Sequence, residues 1–141
     1  MNQNFYDKLN NVIAKDSILT DEPMSRHTTF RVGGPADFFV TPKAKEEVRD
    51  VIRICKEAGM PYYIIGNGSN LLVSDAGYRG VIVQIYKEMN EVKVEGDLVK
   101  AQAGALLSGI AAKALGAELS GFEFASGIPG TIGGACVMRH K

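Results

Sequence analysis

Two glycine-rich segments are the features of this sequence that most clearly indicate a site for a phosphate-containing ligand. The first reads Ile64-Ile65-Gly66-Asn67-Gly68-Ser69-Asn70-Leu71-Leu72, and the second reads Gly127-Ile128-Pro129-Gly130-Thr131-Ile132-Gly133-Gly134-Ala135. Each begins where an apolar segment meets the start of a helical turn, and each has few bulky side chains. Several backbone N–H groups can therefore point at one anion. Together the segments predict a site for a ligand with two phosphates, or for one phosphate held from both sides.

The first glycine segment follows a predicted strand, which is where α/β sheets place their ligands. It lacks the Lys-Ser or Lys-Thr of a Walker A loop, and Leu71 stands where a dinucleotide fingerprint needs its third glycine. A Gly-x-Gly turn taken alone fits a structural turn and a ligand site equally well. Ser69 and Asn70 favour the ligand, because hydroxyl and amide groups can complete a phosphate shell.

The second glycine segment predicts the start of a helix with almost no side-chain cover. Pro129 suits the first position of a helix, where its missing N–H has no cost. The alternative is a close crossing of a helix and a strand, which small residues serve as readily as they serve a ligand. The density of glycines from Gly130 to Gly134 favours the ligand.

The remaining chemically capable residues are not assigned catalytic or metal-binding roles. His27 is typical of a turn or surface histidine, and His140 lies in the terminal tail. Cys55 falls on the apolar stripe of a predicted helix, so we expect an inert core thiol, and Cys136 has no His or Asp near it in sequence. Two cysteines without paired spacing exclude a disulfide framework and a cysteine zinc site.

Composition indicates a single globular domain in a reducing compartment. The chain has 141 residues, of which 45% are apolar, and its 16 Lys and Arg balance 16 Asp and Glu. With this balance the chain has no net positive charge that would attract nucleic acid or an anionic membrane. With neither a leader sequence nor a long apolar run, we expect a cytoplasmic, soluble protein with no nucleic-acid or membrane partner.

The order of the predicted elements indicates an α/β unit that places the first glycine segment at a sheet edge. The segment from Ser17 to Ser25 is polar and predicts turns. Periodicity predicts a short helix around Phe5 to Ile13, a strand over 37–40, a helix from Thr41-Pro42 to Gly59, strands over 61–65 and 80–85, a hairpin over 91–101 and a helix over 107–116. Strand, helix, strand, loop and strand in this order predict an at least partly parallel sheet.

Three segments in the same order resemble UDP-N-acetylenolpyruvoylglucosamine reductase, a flavoenzyme family of peptidoglycan precursor synthesis. They are Thr28-Thr29-Phe30-Arg31-Val32-Gly33-Gly34-Pro35-Ala36, the first glycine segment, and Gly121-Phe122-Glu123-Phe124-Ala125-Ser126 continuing into the second glycine segment. The resemblance spans about residue 5 to Met138, which is less than half of the usual length of that family.

The resemblance implies an α/β (α+β) FAD-binding domain of the p-cresol methylhydroxylase (PCMH) or vanillyl-alcohol-oxidase type. In this fold FAD lies extended between an α/β lobe and a second lobe richer in antiparallel strands. We therefore expect an N-terminal helix and arm over 1–20, a first lobe over 21–90, and an incomplete second lobe over 91–141, truncated before any substrate domain.

The family uses NADPH to reduce FAD, and the reduced flavin passes a hydride to the enolpyruvyl double bond of a UDP-sugar, which gives UDP-N-acetylmuramate. No His or Cys occurs over residues 60–80, so the resemblance implies FAD that is bound without a covalent link. We expect Gly68→Val, in a full-length version of the protein, to prevent flavin retention without unfolding it. The matching motifs imply the following FAD contacts: Gly66, Asn67, Gly68, Ser69, Asn70, Leu71, Ser126, Gly127, Ile128, Pro129, Gly130, Thr131, Gly133 and Gly134.

The end of the chain departs from the family, which continues Asn-Ala-Gly-Ala-Tyr-Gly where this chain reads Arg139-His140-Lys141. We therefore expect the family's catalytic acid and substrate contacts to be absent, this chain alone to be inactive, and an open apolar face to promote self-association. Two alternatives are a non-catalytic nucleotide- or partner-binding fragment and a non-covalent flavin oxidase. The second is disfavoured because Gly68-Ser69-Asn70 lacks the covalent His of such oxidases.

Overall fold

A four-stranded mixed sheet organises the first half of the chain. The computed structural model describes residues 2–68, 71–85, 89–119, 121 and 130–137. The strands lie in the order β1, β2, β4, β3, and their bounds are β1 Ile18–Pro23, β2 Pro35–Val40, β3 Tyr62–Ile65 and β4 Tyr78–Gln84. Strands β2, β4 and β3 are parallel, and β1 runs antiparallel to β2. The predicted, partly parallel α/β sheet is confirmed.

Strand β1 replaces most of the turn-rich segment predicted from Ser17 to Ser25, and that prediction is wrong. Ile18 pairs with Val40, and the pairing continues to the last residue of the strand. The polar composition is compatible with an edge strand, because only one of its faces and one of its edges contact the protein. Ile18 is buried on that face.

Two helices cover one face of the sheet. Helix α1 spans Gln3–Asn10, and helix α2 spans Lys45–Ala58. Helix α2 begins later than the predicted Thr41-Pro42, because the Thr41 N–H still donates to the Ser17 carbonyl at 3.0 Å and so extends the pairing with β1. It ends as predicted at Gly59, whose φ of 65° is left-handed.

The side chains of the sheet alternate between two buried clusters. Val81 and Val83 of β4 face the helices, whereas Ile82 packs on the opposite face with Phe39. The helix-side cluster also contains α1, so the proposed segment 1–20 shares the core of the first lobe. Its buried members are Phe5, Leu9, Ile13, Ile18, Phe38, Val40, Val51, Ile54, Cys55, Val81 and Val83.

The second half of the chain contains the predicted hairpin and helix. Strands β5 (Val92–Glu95) and β6 (Leu98–Ala101) pair antiparallel, and helix α3 spans Leu107–Gly116. A short helix, α4, spans Ile132–Val137. A boundary near residue 90 between the two lobes stays a proposal. Over the described residues, no helix has both the length and the apolarity needed to cross a membrane.

Candidate functional site

The first glycine segment begins at the carboxyl end of β3. Gly66, Asn67, Gly68 and Leu71 belong to the described residues, whereas Ser69 and Asn70 lie outside them. Gly68 has a left-handed φ of 76°, and its carbonyl accepts a hydrogen bond from the Thr29 N–H at 3.2 Å. The segment is therefore fixed against the turn that precedes β2.

Gly68 is needed by the fold itself. A Cβ atom at this position would collide with the carbonyl oxygen of His27 and lie 3.2 Å from Thr28 Cα. The expectation that valine at position 68 leaves the fold intact is wrong, because a branched side chain meets rigid backbone at a left-handed φ. The turn interpretation of Gly68 therefore holds, whether or not the residue also contacts a ligand.

The two glycine segments meet in the structure. A Cβ atom at Gly66 would overlap Thr131 Oγ1 and lie 2.9 Å from Thr131 Cγ2. Thr131 is buried, with 3% of its surface exposed. Gly66 and Thr131, which are 65 positions apart in the sequence, thus meet where β3 ends, as the hypothesis of one ligand held from both sides requires.

Backbone N–H and carbonyl groups on either side of Thr131 form hydrogen bonds within the protein. The Gly130 carbonyl accepts from Leu107, the Ile132 N–H donates to Ala105, and the Gly133 N–H donates to Ala103, all at 2.9–3.0 Å. A Cβ at Gly133 would lie 3.0 Å from the Ala103 Cβ, so this glycine allows α4 to approach the turn between β6 and α3 closely.

The other predicted residues of the second segment are described incompletely. The structure places Gly134 within helix α4. Ser126, Gly127, Ile128 and Pro129 lie outside the described residues.

A polar cleft of about 450 Å³ opens beside the first glycine segment. It lies where β3 and β4 end, the edge at which parallel sheets hold ligands. Among the predicted site residues that the structure describes, Asn67 is the one that lines it. The residues that line this polar cleft are Arg26, His27, Thr28, Thr29, Asn67, Gln84 and Asn90.

His27, to which the sequence analysis assigned no role, forms part of the cleft wall. Its ring stacks on Phe39 with 4.0 Å between ring centroids. Its Nε2 atom lies 3.9 Å from Glu22 Oε2, and the other oxygen of Glu22 accepts from Arg26 at 3.2 Å. These contacts hold the turn before β2 against the sheet.

Thr28 stabilises the same turn from within. Its Oγ1 donates to the Val32 carbonyl at 3.0 Å, and the Arg31 N–H donates to the Thr28 carbonyl at 3.1 Å. Thr28 itself is buried. The resemblance segment that begins at Thr28 therefore builds one wall of the polar cleft.

Gln84, like Arg26 and Asn90, lines the cleft without having been predicted from the sequence. It ends strand β4, is 5% exposed, and alternates onto the sheet face that carries Ile82 and Phe39. The sequence does distinguish Gln84, because its amide is the single polar side chain in the apolar run Val81-Ile82-Val83-Gln84-Ile85. An amide in a buried strand needs a hydrogen-bonding partner.

Neither cysteine is among the residues that line the polar cleft. Cys55 is fully buried in the helix-side cluster, and burial raises the pKa of its thiol to about 11. The prediction of a core thiol is confirmed. Cys136 is exposed.

The fold and its relatives define the class of this protein. Residues 36–140 match the family described as FAD binding domain, so the chain belongs to the FAD-binding domain family. A structure of p-cresol methylhydroxylase is similar in fold, with a TM-score of 0.64, 20% identity, 83% of this chain and 25% of that chain covered.

More closely related proteins carry one name. UDP-N-acetylenolpyruvoylglucosamine reductase of Clostridium botulinum is 51% identical over 141 residues, which covers 99% of this chain and 46% of that relative. The crystal structure of UDP-N-acetylenolpyruvylglucosamine reductase from Thermus caldophilus is 34% identical with a TM-score of 0.65, covering 84% of this chain and 40% of that chain. The resemblance stated from the three sequence segments is confirmed. The chain spans slightly less than half the length of the curated relative.

Proposed function

We propose that this chain is the FAD-binding portion of a UDP-N-acetylenolpyruvoylglucosamine reductase. The observation that carries the proposal is the contact between Gly66 and Thr131 beside the polar cleft. It brings the two glycine segments of the resemblance to one edge of the sheet. Relatives over nearly the whole chain bear the name of that reductase.

The residues at this edge fit a dinucleotide. Gly66, Asn67 and Gly68 from one side, with Gly130 and Thr131 from the other, are the described residues that we propose as FAD contacts. The polar cleft adds hydroxyl, amide and imidazole groups, which suit the many hydrogen-bonding atoms of such a cofactor. FAD supplies hydride transfer when bound. The lack of His and Cys over residues 60–80 supports attachment without a covalent bond.

The carried-over site extends beyond the described residues. We retain Ser69, Asn70 and 126–129 as proposed FAD contacts on the resemblance alone. Leu71 packs against the cluster that contains Ile65, so its proposed contribution is to hold the segment in place. For Gly133 we propose the close approach of α4 to the residues before α3, since its N–H already has a protein acceptor.

The rest of the activity belongs to the whole protein. We propose NADPH as reductant, UDP-N-acetylenolpyruvoylglucosamine as substrate, peptidoglycan synthesis as the role, and the cytoplasm as the location. Balanced charge supports the proposal that no nucleic acid is a partner. The chain spans about half of the relative that bears the activity name, so we propose that these residues alone bind FAD without substrate turnover.

The test is a titration of the 141-residue chain with FAD, followed by flavin fluorescence and circular dichroism. We expect saturable binding by a folded chain, and NADPH consumption that does not respond to UDP-N-acetylenolpyruvoylglucosamine. A folded chain without saturable binding contradicts the proposed cofactor. Substrate-dependent turnover contradicts the proposed division between binding and catalysis.

A further inference from the structure

Gln84 is a mostly buried residue whose amide lines the polar cleft. Its Cα pairs with that of Ile65, the residue before the first glycine segment, so the side chain lies level with the start of that segment. The residue is 5% exposed and lines the polar cleft. Strand alternation directs it to the sheet face of Ile82, away from the helices.

Across the part of the chain that the structure describes, no hydrogen bond is found to the Gln84 carboxamide. A carboxamide offers one acceptor oxygen and two N–H donors. The carboxamide is not sealed in the interior, because neither of its polar atoms is among the fully buried, unpartnered atoms of the described residues, and Gln84 lines the polar cleft. A ligand that enters the cleft can therefore bond a group that no protein hydrogen bond occupies.

The charges around the cleft indicate the chemistry of that ligand. Among the described residues that line the cleft, Arg26 carries a guanidinium that already donates to Glu22, whose side chain is 7% exposed. The opposite charges of this pair offset each other, and the cleft also presents the hydroxyl and amide groups of Thr28, Thr29, Asn67, Gln84 and Asn90. A neutral group with neighbouring donor and acceptor atoms fits this setting better than a phosphate does.

We propose that the Gln84 carboxamide hydrogen-bonds a neutral donor-acceptor edge of the bound dinucleotide and so determines how strongly the polar cleft holds it. This inference rests on the proposed function, in which the glycine segments take the pyrophosphate. Two parts of FAD present such an edge: the imide of the flavin ring and the amino-pyrimidine of adenine. The shared chemistry is a neutral heterocycle edge that matches an amide.

The test uses Gln84→Met, which retains the length of the side chain and removes both hydrogen-bonding groups. FAD affinity should fall by about 3- to 10-fold, the usual effect of losing a hydrogen bond to a neutral group. The melting temperature of the ligand-free variant should equal or exceed that of the unsubstituted chain, because the substitution removes no hydrogen bond within the protein. Gln3→Met on the exposed face of α1 is the matched control, and it should leave FAD affinity unchanged.

Two results overturn the inference while the proposed function stands: equal FAD affinity in Gln84→Met, or a lower ligand-free melting temperature, which marks a structural amide. If the unsubstituted, folded chain binds no FAD, the proposed function and this inference fail together. Titrations with riboflavin and with adenosine separate the two sources. Weakening of riboflavin alone assigns the flavin edge, weakening of adenosine alone assigns adenine, and weakening of neither overturns the inference.

Discussion

Alanine at position 66 tests the contact between the two glycine segments. The added Cβ overlaps Thr131 Oγ1 and lies 2.9 Å from Thr131 Cγ2, so Thr131 must shift within a buried site. Overpacking of this kind typically costs about 1–3 kcal/mol of unfolding free energy. Gly66 lies outside the left-handed region of φ, so backbone strain adds little.

Removing the obstructing atoms should reverse the effect. Thr131→Ala deletes Oγ1 and Cγ2 and leaves the nearest remaining atom, Cβ, at 3.1 Å from the new side chain. Alone, this substitution should cost about 1 kcal/mol, because buried contacts of the threonine are lost. The double variant should lose less unfolding free energy than the sum of the two single losses, by at least about 1 kcal/mol. Such non-additivity is the sign of direct contact.

The assay is urea unfolding of the four members of this cycle, followed by circular dichroism. Gly109→Ala is the matched control: its Cβ meets nothing within 4 Å. Because this position lies inside α3, alanine there should stabilise the chain by about 0.5–1 kcal/mol. A cost below a few tenths of a kcal/mol for Gly66→Ala, or additive costs in the double variant, refutes the contact.

Three further predictions follow from burial and backbone geometry. Burial raises the pKa of Cys55 to about 11, so the free energy of unfolding should fall by about 2 kcal/mol as pH rises from about 9 to about 11. Cys55→Val should flatten that dependence in urea midpoints measured against pH, and an unchanged slope contradicts it. Gly68→Ala should destabilise the chain more than Gly59→Ala. Both positions have a left-handed φ, but of the two only position 68 lacks space for a Cβ. Equal unfolding free energies of the two variants would contradict the steric overlap at position 68. Leu98 and Leu115 are 61% and 68% exposed, so the 141-residue chain should self-associate in analytical ultracentrifugation and lysine at both positions should reduce this, whereas an unsubstituted monomer contradicts it.

The elements that the sequence predicted correctly have strong local signals. The hairpin over 91–101 has alternating strands around a Gly-Asp turn, and Gly59 ends α2 in the left-handed conformation that glycine favours. Strand β1 was missed because its order comes from pairing with β2 and not from its own composition. The predicted start of α2 is too early for the same reason, since the Thr41 N–H still donates to Ser17, the residue before β1.

At the candidate site, the glycines could be found in the sequence but their contacts could not. Glycine composition does not reveal whether a missing Cβ makes room for a ligand or for the protein, and Gly68 makes room for the carbonyl of His27. The meeting of Gly66 with Thr131 is a tertiary contact that no local pattern encodes. Gln84 shows the opposite case, because a lone amide in an apolar strand was a readable signal.

A ¹⁵N–¹H correlation spectrum of the isotope-labelled chain, recorded with increasing FAD, tests whether the two glycine segments form one FAD site. We expect saturable shifts of the backbone amides of Gly66, Asn67 and Gly68 together with that of Thr131, and of the side-chain amide of Gln84. Saturable shifts confined to residues remote from these positions, or no shifts at all in a folded chain, contradict a single FAD site built from the two glycine segments.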